Sequence, residues 1–469
     1  MLKKLNRNSV SSPTRPIKVL QFGEGNFLRA FADWIIDILN EKAGFNGNVH
    51  IIQPIQNGMG DKVNEQDGLY HVVLNGIANQ KPTREVRLIT CVDGVTNPFQ
   101  NFQAFLDLAV NPELKFIISN TTEAGIVFNP KDANPDVLSE SFPGKLTTLL
   151  YHRFKKMGGT PQSGLILLPC ELIEKNGYLL RTAVLQYVDH WHLPEAFKKW
   201  ITESNTFCNT LVDRIVPGFP KETIHEIQQE AGFEDNLVVM AEPFHLWVIE
   251  GPSHVQDLLP TAKAGLQVTF AKDLTPYRTR KVRILNGAHT SMVPVAYLNG
   301  LRTVRESIED PKTGEFMNKV IFDEIIPTLD LPVSELKKFA GDVIERFQNP
   351  FIKHELSSIA LNSISKFKVR VLPSILQYVE LKNQLPERLL YSLACLIRFY
   401  KGEWKGQPVP VADTPEIVQF FNALWKNGNP EEVVQQSLAN VSFWDQDLTK
   451  IKGLKEMVIR HLIEIESKA

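Results

Sequence analysis

Two glycines one residue apart, Gly23 and Gly25, join a short apolar run to a long amphipathic one, and this junction constrains the fold more than any other segment. Ile17–Phe22 (IKVLQF) has the compact, β-branched and aromatic composition of a buried strand. From Phe27 to Lys42 (FLRAFADWIIDILNEK) apolar residues recur at the 3.6-residue spacing of a helix. Strand, tight glycine turn and helix in this order open a βαβ unit. The first strand therefore belongs inside a sheet that helices cover.

The pattern continues. Val49–Ile55 (VHIIQPI), Lys115–Asn120 (KFIISN) and Gly164–Cys170 (GLILLPC) read as further buried strands, with a helix around Gly144–Phe154. Tyr70–Gly76 and Glu85–Val92 read as an inserted pair, with Lys81-Pro82 in the connection. After a strand at Leu266–Ala271 the period changes. Lys281–Leu301, Phe316–Leu329, Val333–Arg346, Pro386–Lys401, Pro415–Lys426 and Leu454–Ser467 all read as helices. A chain of 469 residues is long enough for two cores. The reading predicts an α/β chain: an N-terminal Rossmann-like nucleotide-binding domain over residues 1–265, then a mainly α-helical substrate domain over 266–469.

Charge and cysteines exclude several classes. Lys+Arg number 51 against 53 Asp+Glu, a net charge of -2, without the basic excess of a nucleic-acid binder. The longest stretch free of charged residues, Ile284–Leu301, carries Asn286, His289, Thr290, Ser291, Pro294 and Asn299. That many polar groups are costly in a bilayer, so it reads as a helix buried in a protein core. Cys91, Cys170, Cys208 and Cys395 form no C-x-x-C pair, which argues against a disulfide framework or a cysteine zinc site. No H-E-x-x-H occurs, and Met1–Pro16 has no apolar core of a secretory signal. The expectation is a cytoplasmic, metal-free protein with a small-molecule partner, no nucleic acid and no membrane; its oligomeric state stays open.

The glycine turn is a candidate anion site. Phe22-Gly23-Glu24-Gly25-Asn26-Phe27 leads into a helix whose unpaired N–H groups favour phosphate. Gly23 permits the sharp turn, and Gly25 lets a pyrophosphate approach the backbone. The third glycine of G-x-G-x-x-G is replaced by Leu28. An acidic ribose partner is expected at the end of the second strand, yet that region reads Gln53-Pro54-Ile55-Gln56-Asn57-Gly58, with no carboxylate before Asp61. No arginine stands there to clamp a 2′-phosphate either. The balance favours NAD, with Gln53 as a neutral ribose partner.

The second candidate segment is Tyr277–Thr290 (YRTRKVRILNGAHT). On a regular helix, at about 100° per residue, Lys281, Asn286 and His289 share one broad face at the charged mouth of the uncharged stretch. A lysine there is placed to lose part of its hydration and exchange a proton near neutral pH. Asn286 and His289 are placed to hydrogen-bond an oxygen on which charge develops. The plainer alternative is a helix with solvated basic residues at its start and a core histidine.

The run Lys281–His289 (KVRILNGAH), with Gly23–Ala30 and Val212–Pro217 (VDRIVP), resembles the polyol-specific long-chain dehydrogenase/reductase (mannitol dehydrogenase) family over nearly the whole chain. That resemblance implies a zinc-independent, nicotinamide-dependent enzyme with its site in the cleft between the two domains. Lys281 would be the general acid/base, with Asn286 and His289 polarising the carbonyl. Asp213 would lie beside the cofactor or the proton path. Asn120, Thr122 and Glu123 would stand near the nicotinamide, with Gly125 completing their segment. Pro169–Ile173 and Arg346–His354 look closest to the ketouronate-reducing members, which implies reversible reduction of D-tagaturonate to D-altronate. Fructuronate reduction and mannitol oxidation are the alternatives, as is a nucleotide-sensing protein on the same fold. Where polyol-oxidising members carry an arginine, this chain has Ser358, while Lys366 is kept. Lys366, helped by Lys353 or His354, would hold the substrate tail.

Overall fold

The computed structural model describes residues 2–78, 80–121, 125–351, 353–426 and 429–469. They form two compact units, Met1–Leu274 and Thr275–Ala469. The strand Val268–Ala271, on the helical side of the boundary expected from the sequence, pairs in parallel with Leu246–Glu250 and so belongs to the first unit.

The first unit is built on a six-stranded parallel sheet. Its strands are β1 (Ile17–Phe22), β2 (Asn48–Ile52), β3 (Val92–Thr96), β4 (Phe116–Ser119), β5 (Ile166–Pro169) and β6 (Thr206–Phe207). Their spatial order is β3-β2-β1-β4-β5-β6, and every pairing is parallel. This is the order of a doubly wound dinucleotide-binding sheet, with its topological switch between β1 and β4. Alternation of side chains explains why these strands are apolar throughout. Val19, Ile51, Phe116, Ile118 and Leu168 enter one core, while Leu20, Ile52, Ile117 and Leu167 enter the other. The first core is closed by Ala32–Lys42, through Ile35 and Leu39. The second is closed by Phe142–Met157, Asn176–His190 and Glu195–Ser204.

The helix expected over Phe27–Lys42 is broken at Phe31 (φ -124°, ψ -73°) into Asn26–Ala30 and Ala32–Lys42. The inserted pair is a long antiparallel hairpin, Tyr70–Ala78 with Lys81–Ile89. Pro82, expected in its connection, instead pairs with Ile77 in the strand. The sheet order leaves that strand at an edge, where proline's missing N–H costs no ladder bond.

The second unit is helical around Gly287–Leu298, ten of whose twelve residues are buried. Glu387–Phe399 and Ser363–Arg370 pack on it, and Ser392 donates to the Ser291 carbonyl (2.7 Å). No helix of the described residues is long and apolar enough to cross a membrane.

Candidate active site

The β1–β4 switch point holds the glycine turn. Gly23 has φ +121°, a conformation that L side chains rarely adopt, and a Cβ there would lie 3.3 Å from the Asn120 carbonyl oxygen. Its N–H donates to the Ile52 carbonyl (3.1 Å), and the Asn120 N–H donates to that of Phe22 (3.2 Å). The Phe22 ring is fully buried against Phe142, so only its backbone faces the turn. Gly25 is the N-cap of Asn26–Ala30, and no atom lies within 4 Å of where its Cβ would stand. A positive-φ turn at the switch point beside open backbone fits a dinucleotide pyrophosphate.

Side chains around the turn are mostly committed to holding it. Arg29, 1% exposed, donates to the carbonyls of Glu24 (3.1 Å) and Leu237 (2.6 Å) and to the Asn26 side chain (2.8 Å). Phe27 stacks on Phe31. Gln53 sends both amide hydrogens to Ile55 and Gln56 and accepts from the Gly60 N–H. Its side-chain oxygen keeps one lone pair open. A cavity of about 710 Å³ opens beside these residues, lined in part by Asn26, Arg29, Met59, Lys62 and Phe219.

At the end of β4 the buried Glu171 carboxylate accepts from the Ser119 hydroxyl (3.1 Å), the Thr121 N–H (3.0 Å) and the Thr121 hydroxyl (3.0 Å). Burial raises its pKa, against those donors. Asn120 is half-buried; Thr122 and Glu123 lie outside the described residues. Asp213 ends the strand Asn209–Asp213 and is buried. Its neighbour Arg214 donates to the carbonyls of Ala30 (2.7 Å) and Glu242 (2.9 Å), which ties this segment to the helix after the turn.

In the second unit the helix expected from Lys281 is not regular. Thr275–Arg280 is α-helical, Lys281–Asn286 is a π-turn, and Gly287–Leu298 resumes the α-helix. A π-turn widens the helix by one residue, so positions computed at α-helical pitch shift across it; such turns recur at functional sites. Gly287 lets the neighbouring helix close in, since a Cβ there would lie 3.0 Å from the Arg370 carbonyl oxygen. Lys281 and Asn286 are half-buried at the two ends of the turn. His289 lies one turn further on, stacked on Phe347 (centroids 4.2 Å) and edge-on to His354 (5.1 Å). Burial holds its pKa well below the usual histidine range, and the charges of His354, Arg346 and Arg370 act in the same direction. Its Nε2 is buried with no hydrogen-bond partner among the described residues.

Of the expected tail-binding residues, His354 joins this group and Lys353 does not. Lys353 is largely exposed and paired with Glu355 (2.8 Å). The Lys366 ammonium donates to the Ile359 carbonyl (2.9 Å). Burial, then Arg370, lowers its pKa. Ser358 is exposed and bonds the Glu355 carbonyl. Sequence reasoning missed Arg370, Arg29 and Glu171 as site-building residues. The basic K-F-K-V-R run around Lys366 was the available signal for Arg370. Among the described residues no cluster of His, Cys, Asp and Glu has the makings of a metal site.

Two family models match in tandem: the mannitol dehydrogenase Rossmann domain over residues 17–262, and the mannitol dehydrogenase C-terminal domain over 273–466. An altronate oxidoreductase of Phocaeicola vulgatus is 47% identical over 469 residues, covering 100% of this chain and 98% of its own. One from Bacillus subtilis is also 47% identical, over 99% of this chain and 96% of its own. Among solved structures, a substrate-free D-sorbitol dehydrogenase superposes with a TM-score of 0.82 at 23% identity, over 99% of this chain and 98% of its own. The Pseudomonas fluorescens mannitol 2-dehydrogenase, solved with NAD and D-mannitol, gives 0.67 at 22% identity, over 99% and 97%. The relatives make the protein an oxidoreductase acting on CH–OH groups, and the chain belongs to the mannitol dehydrogenase family.

Proposed function

We propose that the protein catalyses the NAD-dependent, reversible reduction of D-tagaturonate to D-altronate, with Lys281 as general acid/base and no metal. The observation that carries this reading is the gathering of Lys281, Asn286 and His289 around one π-turn, within a group of cations suited to an acidic substrate. The relatives' name, altronate oxidoreductase, supports altronate as one member of that pair.

A bound nicotinamide supplies the hydride exchange at the reacting carbon. Gly23, Gly25 and Asn120 would hold the dinucleotide, with Gln53 toward the ribose. In reduction, Lys281 gives a proton to the carbonyl oxygen as negative charge builds there; in oxidation it takes that proton back from the hydroxyl. Asn286 donates a hydrogen bond to the same oxygen. His289, kept neutral by burial, offers its unpartnered Nε2 position as a second donor without adding a competing charge. NADH oxidation by the purified protein with tagaturonate, fructuronate, fructose and fructose 6-phosphate tests the reading. Tagaturonate should give the highest kcat/KM; a higher value with fructuronate or fructose overturns the substrate assignment.

A further inference from the structure

The cations on the elements near His289 are not equivalent, and one of them stands without a hydrogen-bond or ion-pair partner among the described residues. Arg283 donates to Ser374 (2.8 Å) and Gln377 (3.3 Å). Arg280 lies over the Phe339 ring (4.4 Å). Arg346 is buried and has partners of its own. Lys366 is bonded to Ile359 and acted on by Asp413, which in turn accepts from the Tyr400 hydroxyl. Arg370 is half-buried, and among the described residues its guanidinium has no hydrogen bond, ion pair or ring contact. Burial lowers its pKa, and among the described residues no carboxylate offsets that cost. An arginine left in that state, with five donors open, is a site for a planar anion.

Its position says which anion. Arg370 ends the helix Ser363–Arg370, which packs on both the Lys281–Asn286 turn and Gly287–Leu298. It lies one helical turn after Lys366, and its charge reaches His289. We propose that Arg370 is the specificity-determining residue of this site, binding the substrate carboxylate through its guanidinium while the keto oxygen sits at Lys281, Asn286 and His289. The proposal rests on the ketouronate reading above and deepens it. Arg370, rather than Lys353, makes the enzyme choose an acid over a neutral ketose. Lys366, already bonded to Ile359, is the lesser partner.

The test compares D-tagaturonate with D-tagatose, which has CH2OH in place of the carboxylate, in wild type, Arg370→Gln and Arg370→Lys. Wild type should prefer tagaturonate. Arg370→Gln should lose between about 30-fold and 4,000-fold in kcat/KM for the acid, the range for deleting one partner of a desolvated charge pair. Tagatose turnover should stay within about threefold in that variant. Arg370→Lys, which keeps the charge but not the fork, should recover part of the loss. Equal losses on acid and ketose would mark a structural role and overturn the proposal, as would a wild type with no preference. Calorimetric binding of D-altronate and altritol, with no turnover required, separates this from failure of the catalytic reading. Altronate binding lost in Arg370→Gln with altritol unaffected supports the anion site even if tagaturonate is not reduced. Altronate binding absent in wild type, or unchanged in the variant, overturns it.

Discussion

At the scale of single residues, the proposed mechanism gives Lys281 and His289 separable tasks at one oxygen. In that mechanism the lysine exchanges a proton with it, whereas the histidine, held neutral by burial, offers a hydrogen bond. Lys281→Ala should therefore lower kcat by about 10²–10⁴-fold, the usual contribution of general acid–base catalysis. NADH affinity, followed by quenching of tryptophan fluorescence, should stay at the wild-type value. Turnover within about threefold of wild type, well below that range, would remove the lysine from the proton path. His289→Ala should lose less, because Asn286 still donates to the oxygen. The sequence could single out these three residues because the proposed chemistry uses their types at close spacing. It could not single out Arg370 and Glu171. The role of each depends on what surrounds it: an arginine matters here because no acceptor among the described residues reaches it, and a glutamate because three donors do. Lys353 shows the converse, a cation beside the right motif whose side chain the fold turns toward Glu355 and solvent.

Among the elements, apolar strands and long amphipathic helices could be read directly, since burial on two faces or one leaves a period in the sequence. Val333–Phe347, Glu387–Phe399 and Leu454–Glu466 lie within one or two residues of their expected spans. The π-turn at Lys281–Asn286 and a second at Val320–Ile325 left no such trace. They change the hydrogen-bond register and not the hydrophobic count. The short strands of the first unit were also hard to foresee, and one of them carries a testable device. His245 precedes the strand Leu246–Glu250, and its Nε2 accepts from the Gln267 N–H (3.0 Å), one residue before Val268–Ala271. Its Nδ1 faces the Pro243 carbonyl (3.3 Å), so the ring is neutral with its proton on Nδ1. Burial, then Arg214, pushes its pKa down to about 4. The unfolded histidine titrates near 6.5, so between pH 6.5 and 4 the unfolded chain binds the extra proton. The stabilisation is whole above pH 6.5 and is lost as pH falls toward 4, by about 3 kcal/mol. His245→Gln can make both hydrogen bonds without titrating. Urea unfolding at pH 7 and pH 4.5 should show a smaller acid loss in the variant; identical losses would place the acid sensitivity elsewhere.

For the whole molecule, the two compact units coincide closely with the two family models, and in the proposed mechanism each carries one half of the chemistry. The first unit has the switch-point turn and the open backbone at Gly25; the second has the lysine, the asparagine, the histidine and the cations. That division predicts that substitutions separate by unit when measured in the full-length protein. Gly23→Ala forces a Cβ into φ +121° and against the Asn120 carbonyl, a strain of about 1–3 kcal/mol. If the turn gives way, the pyrophosphate loses its backbone seat. The KM for NADH should then rise about tenfold or more, since each 1.4 kcal/mol is a factor of ten. The KM for the ketouronate, whose proposed contacts lie in the other unit, should change little. Lys281→Ala should do the opposite, lowering kcat with the NADH constants intact. Dialysis against a chelator should leave wild-type kcat unchanged, because the proposed mechanism gives the lysine the work that zinc does in metal-dependent alcohol oxidation; recovery of lost activity by added zinc would contradict that assignment. The decisive result is the cross-comparison of Gly23→Ala and Lys281→Ala. A Gly23→Ala enzyme with normal NADH binding would show that the dinucleotide does not seat on the β1–β4 turn.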